Sequence, residues 1–186
     1  MSTLYLVRHA HAEWIPDENR SLSYQGRENA NRVANILCEY PINAIYSSPA
    51  QRAYQTITPL AERLGLPIHI ELELQERRLG DRVFEDFLNA MEVTWRNPLF
   101  AHPGGESSVM AQKRGIAVVQ RLLEKHPAQH IVLSTHGNLM ALVLQIFDPS
   151  VDFMYWKSLT MPDIYRLNIS RFGKGFIQRM WQETDA

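Results

Sequence analysis

The sequence predicts an α/β fold, a three-layer α/β/α sandwich around a mostly parallel central sheet with an antiparallel edge strand. Three observations predict it. Short apolar runs alternate with longer segments of helical period, the pattern of strands joined by covering helices. Three of those runs stop abruptly in polar turns that carry arginine, histidine or serine. Two closing runs sit close together beside Gly173 and Gly175, the spacing of a terminal hairpin. A length of 186 residues suits a single domain over 1–186 with one three-layer core.

The elements follow in order. Residues 3–8 are the first strand, an apolar run Leu4-Tyr5-Leu6-Val7 closed by Arg8 and His9. Residues 23–39 place Val33, Ala34, Ile36 and Leu37 at helical spacing behind Ser23, a good N-cap. NAIYS at 43–47 is a second strand. Ser48-Pro49 then predicts a helix over about 49–64, with serine as cap, proline in the first turn and Gly65 as the stop. Residues 67–72 form a third strand. The stretch 77–105 mixes charge, aromatics, Pro98, Pro103 and Gly104-Gly105, and reads as a helix-bearing excursion from the sheet. An amphipathic helix follows over roughly 106–125, with Glu106 favourable at its positive end. HIVLST at 130–135 is a buried strand that leads through His136-Gly137 into a helix over 138–147. Residues 163–169 and 175–181 close the fold.

Composition narrows the function. A formal net charge of −1 gives no global field to draw nucleic acid or an acidic membrane. No run of about 18 apolar residues predicts a membrane span, and no leader pattern opens the sequence. Cys38 is the sole cysteine, which excludes an internal disulfide and a cysteine-cluster metal site and suits a reducing, cytoplasmic setting.

Three strands end alike: one in Arg8-His9, one in Ser48-Pro49 with Arg52 a turn later, one in His136-Gly137. In an open α/β sheet, ligands bind beyond the carboxyl ends of the strands, where helix N-termini also point. Converging there, two guanidiniums, two imidazoles and two helix N-termini suit a dianionic phosphoryl group.

VRHA on the first strand, SSPAQRAYQT after the second, LQERRLG after the third and STHGN late in the chain resemble the histidine phosphatase superfamily, the group of phosphoglycerate mutases and related acid phosphatases. The motifs occur in that family's order and span residues 4 to about 142. The resemblance implies that His9 attacks phosphorus and becomes a phosphohistidine. It implies that Arg8, Arg52 and His136, with Gly137 in the same turn, bind the phosphoryl oxygens, and that Glu76 is the proton donor. With no metal or other cofactor, Arg8, Arg52 and a protonated His136 must supply the positive charge. The implied partner is a small-molecule phosphomonoester; oligomeric state is not encoded legibly.

The chain departs from the family pattern. Alanine at position 10 replaces the usual glycine, so the turn must be one that alanine adopts. His11, Ala12 and Ile15 stand where many members carry Glu, Thr and a phosphate-holding Asn, and Arg20 is a candidate to reach toward the site. His136-Gly137-Asn138 has the mutase form, yet the excursion at 77–105 is short beside that of mutases, which enclose their intermediate. Hydrolysis is therefore expected ahead of phosphotransfer. Glu76 has a plainer reading as one of several solvated acids beside Glu71, Glu73, Glu85 and Asp86. Ser107 mainly starts a helix, and Phe84, Phe87, Met91, Trp95 and Phe100 either line a pocket or cover the core. Two rival classes remain: a zinc hydrolase built on the His9-Ala10-His11 pair with Glu13, and a non-catalytic phospho-ligand binding module.

Overall fold

Alternation along the first strand sets the layers. In β1 (Ser2–Arg8), Leu4 and Leu6 face one side of the sheet while Tyr5 and Val7 face the other, and all four are buried. The computed structural model describes residues 2–15, 19–169 and 175–182. Within them, β1 is joined by β2 (Ile42–Ser47), β3 (Ile68–Ile70), β4 (His130–Thr135), β5 (Asp163–Ile169) and β6 (Gly175–Arg179) in the order β3-β2-β4-β1-β5-β6. The first four of that order run parallel; β5 is antiparallel to β1, and β6 to β5. The expected antiparallel edge is thus a pair of strands, and the turn holding Gly173 lies outside the described residues.

Helices α1 (Tyr24–Leu37) and α2 (Gln51–Leu64) cover one face, where Val33, Leu37, Ile57 and Leu60 pack on Tyr5, Val7, Ile45 and Val132. Helices α4 (Ser108–Lys125) and α5 (Gly137–Gln145) cover the other, where Val118, Leu122, Met140 and Leu144 meet Leu4, Leu6, Ile131 and Leu133. Each such side chain contributes about 1.5–3 kcal/mol on burial, so the two clusters carry most of the fold's driving force. Ser23 caps α1 as expected, its Oγ accepting from Gly26 N at 3.0 Å.

Three expectations need correction. Helix α2 starts at Gln51 with Ala50 as its cap residue, two positions later than Ser48-Pro49 suggested, because the Ser48 side chain is held by another partner (below). The third strand keeps only Ile68–Ile70, and a 3₁₀ turn at Leu72–Leu74 ends it. A five-residue helix, α6 (Phe153–Lys157), was not foreseen; it is too short to show periodicity.

The excursion after residue 77 holds α3 (Phe87–Arg96), capped by the Asp86 carboxylate accepting from Asn89 N. Arg77 fastens it down. This buried guanidinium donates to Ser108 Oγ and to Thr94 Oγ1, both at 2.8 Å, tying the start of α4 to α3. Among the described residues, no helix is long and apolar enough to cross a membrane.

Candidate active site

The parallel register brings the polar strand ends to one rim. Arg8 lies opposite Thr135 on β4 and Asp163 on β5, and Ser47 opposite Ser134. Beyond that rim lies a cleft of about 520 Å³ lined by Asn19, Arg20, Arg52, Glu76, Arg78 and His136, among others. Of the expected strand-end residues, Arg52 and His136 line this cleft, while His9 is joined to it through Arg52 and Arg8 lies against Gly137.

His9 is 6% exposed and every ring nitrogen is committed. Its Nε2 accepts from Arg52 Nε at 3.2 Å, which leaves the hydrogen on Nδ1 to donate to the Ala10 carbonyl at 2.8 Å. Burial pushes the His9 pKa down to about 3, against the pull of the Ala10 carbonyl and with help from the charges of Arg52, Arg8 and Arg20. The ring is therefore neutral, with its lone pair on the nitrogen that faces the cleft-lining Arg52.

His136 is held by the same logic. Arg52 Nη2, which can only donate, lies 3.2 Å from His136 Nδ1, so the hydrogen sits on Nε2 and donates to Ser48 Oγ at 2.8 Å. Burial, then the neighbouring His9 and the arginines, holds its pKa well below the usual histidine value. By itself this environment leaves the positive charge on the guanidiniums, and a protonated His136 needs an anion beside it. Ser48, read from sequence as a helix cap, is the residue that fixes this tautomer, and only the fold puts it beside position 136.

Arg8 runs under α5. Its Nη1 donates to the Leu159 carbonyl at 2.8 Å and the Thr160 carbonyl at 3.3 Å, while its Nε is buried without a partner. Burial lowers its pKa, opposed by the charges of Glu76 and Asp163. A Cβ at Gly137 would lie 2.8 Å from Arg8 Nε and 2.9 Å from Cζ, so only glycine lets the helix sit on this guanidinium. The fully buried Asp163 supports the same loop. Its Oδ2 accepts from Thr160 N at 3.0 Å and from Arg179 Nη2 on β6 at 2.7 Å.

Glu76 is not a solvated acid. Its Oε2 accepts from Asn138 N at 2.9 Å, and its Oε1 from Leu139 N at 2.9 Å and Arg77 N at 2.8 Å. The carboxylate thereby caps the first turn of α5 from across the cleft, a long-range role that no local sequence signal carries. The segment before it is clamped by Arg114, whose Nε and Nη2 donate to the two Glu106 oxygens at 3.0 and 2.8 Å and whose Nη1 donates to the Gln75 carbonyl at 3.0 Å. Glu106 thus acts through an ion pair more than through the helix dipole, and Ser107 caps α4 by accepting from Met110 N at 3.2 Å.

The remaining candidates fall outside. His11 is exposed and bonds Ser23 Oγ at 2.8 Å, pointing away from the buried His9; the pair does not chelate. Among the described residues no three His, Cys, Asp or Glu side chains gather as metal ligands. Ala10 is buried, has no positive φ, and donates to Thr56 Oγ1 at 2.9 Å. Ile15 is 47% exposed and lines no part of the cleft. The aromatics of the excursion stay out as well: Phe84 and Phe100 pack on His102, Trp95 packs on the core beneath, and Met91 is buried. Arg20, Asn19 and Arg78 are wall residues that the motifs did not assign.

Comparison with known proteins gives the family. The sequence matches the histidine phosphatase superfamily (branch 1) over residues 4–182. Phosphoglycerate mutase-like protein 4 of Arabidopsis thaliana is 28% identical over 181 residues, covering 88% of this chain and 79% of its own length. Putative phosphoserine phosphatase 2 of Hydrogenobacter thermophilus is 27% identical, covering 77% of each chain. A mycobacterial glucosyl-3-phosphoglycerate phosphatase solved with inorganic phosphate shares 25% identity and a TM-score of 0.79 over 96% of this chain and 95% of that one. With its four motifs at the strand ends and the family match running through β1 to β6, this chain belongs to the histidine phosphatase superfamily, branch 1.

Proposed function

We propose that this protein is a metal-independent phosphomonoester hydrolase working through a phosphohistidine on His9. The observation that carries the reading is the His9 tautomer: Nδ1–H on the Ala10 carbonyl and a lone pair on Nε2 at the cationic end of the cleft. A phosphoryl dianion entering the cleft draws Arg52 off that nitrogen and onto its own oxygens, joined by Arg8 and the turn at Gly137, and its charge favours a proton on His136 Nδ1, which then donates to it as well. The Nε2 lone pair then attacks phosphorus, and the ester oxygen leaves with a proton from Glu76. Of the two carboxyl oxygens, Oε2 is the one that accepts a single backbone N–H and so keeps room for that proton. In the second half, water attacks the phosphohistidine, returns its proton to Glu76 and releases phosphate, leaving His9 neutral again.

The relatives named for phosphoserine and glucosyl-3-phosphoglycerate hydrolysis support the hydrolase over the mutase assignment. The excursion at 77–105, anchored by Arg77, serves as the cover over the substrate's outer end. Phosphomonoester panels run in chelator with wild type and His9→Ala test the reading. Wild type turns over, the variant loses about 10⁴-fold or more, as removal of a covalent nucleophile does, and acid-labile phosphate is trapped on wild type by rapid quench. Retention of most activity by His9→Ala ends the scheme.

A further inference from the structure

Two of the cationic groups around His9 are already engaged. Arg8 commits Nη1 to the Leu159 and Thr160 carbonyls, and Arg52 bonds both imidazoles. Arg20 differs. It sits in the segment just before α1, is half-buried, and lines the same cleft as Arg52, Glu76 and His136. Its Nε, like that of Arg8, is buried without a hydrogen-bond partner, and neither an ion pair nor a carbonyl contact like that of Arg8 is made by Arg20 among the described residues. A buried N–H left without an acceptor is costly, and the cost is recovered when an oxyanion arrives.

We propose that Arg20 is a third guanidinium for the phosphoryl group, a direct ligand of its non-bridging oxygens. The proposal rests on the hydrolase reading above and deepens it. The alternative within the same cleft is that Arg20 grips the leaving group. Two observations favour the phosphoryl end. Arg20 shares the wall with the residues that surround the His9 nitrogen, and its charge is among those that bear on His9. Arg78 lines the cleft too, but it is exposed and turns its Nε to the Gly80 carbonyl at 3.3 Å. Arg78 therefore belongs to the outer end and Arg20 to the inner one. A transition state with three equatorial oxygens sharing negative charge is served by three forks, each supplying oriented N–H donors.

Arg20→Gln and Arg20→Lys test this, with the exposed Arg27→Gln as a control for net charge. Inorganic phosphate binding is measured by calorimetry, and kcat/KM on p-nitrophenyl phosphate, whose leaving group carries no second anion, and on phosphoserine, whose leaving group does. Arg20→Gln is expected to weaken phosphate binding about tenfold and lower kcat/KM about 10²-fold equally on both substrates, the scale of losing one oriented donor to the transition state. Arg20→Lys recovers part of the loss, and Arg27→Gln changes neither. A loss confined to phosphoserine overturns the proposal in favour of the leaving group. Unchanged phosphate binding and unchanged turnover overturn it outright. Absence of turnover in wild type, with phosphate binding still dependent on Arg20, overturns the hydrolase reading and leaves the anion site standing.

Discussion

The floor of the cleft and its wall are built by opposite rules. On the floor, His9, His136 and Ser48 are buried, each ring nitrogen has one partner, and each tautomer is dictated by a neighbour that can only donate. On the wall, Arg20 has an unpartnered Nε, Arg78 is exposed, and the aromatics of the neighbouring excursion pack elsewhere. The contrast separates two tasks. A fixed floor holds one geometry in advance, while the exposed Arg78 leaves the outer end of the wall open toward what the phosphate is attached to.

Glu76 stands at the join, so it gives the sharpest way to break the distinction. Glu76→Gln should cost about 10²–10⁴ in kcat/KM on alkyl phosphomonoesters, the usual general-acid contribution, and far less on an activated aryl phosphate. Equal losses on both would assign the carboxylate to clasping α5 and nothing more. Gly137→Ala addresses the floor alone. Its added methyl must displace the Arg8 guanidinium, and a shift near 1 Å in a positioning group costs about 10²-fold. The expected outcome is that loss in kcat/KM with weaker inhibition by phosphate; unchanged kinetics would show that Arg8 is not held by α5.

The smallest effect is on stability. His9 has a folded pKa of about 3, below the unfolded value near 6.5, and His136 is shifted the same way. Between those values the unfolded chain binds protons that the folded one refuses, so stability is complete above about pH 6.5 and is lost as pH falls toward 3. His9 contributes a slope of up to about 1.4 kcal/mol per pH unit in that window, and His136 adds to it in the same direction. Urea unfolding at pH 7 and pH 5 should show a reduced dependence in His136→Ala; an unchanged dependence would mean the ring is solvated or charged.

Much of this was legible in the sequence, for a physical reason. Strand ends and the residues just past them are local, so Arg8, His9, Arg52 and His136 could be read from apolar runs that stop in polar turns. Helix α1 likewise announced itself through Ser23 and its apolar stripe. What stayed hidden depends on residues far apart in the chain. Ser48 looks like a cap until His136, 88 positions later, claims its hydroxyl. Glu76 looks like surface until the first turn of α5, 62 positions away, donates to it. The protonation of His136 could not be read because it is set by burial and by Arg52, both products of the tertiary fold.

One feature reaches beyond the cleft. Arg8 is seated by the 159–160 carbonyls, that loop is pinned by Asp163, and the charge of Asp163 is neutralised from β6 by Arg179. The outermost strand of the sheet, far from β1 in the chain, therefore locks a group that β1 delivers. The seat of Arg8 is thus complete only once β6 has docked on β5.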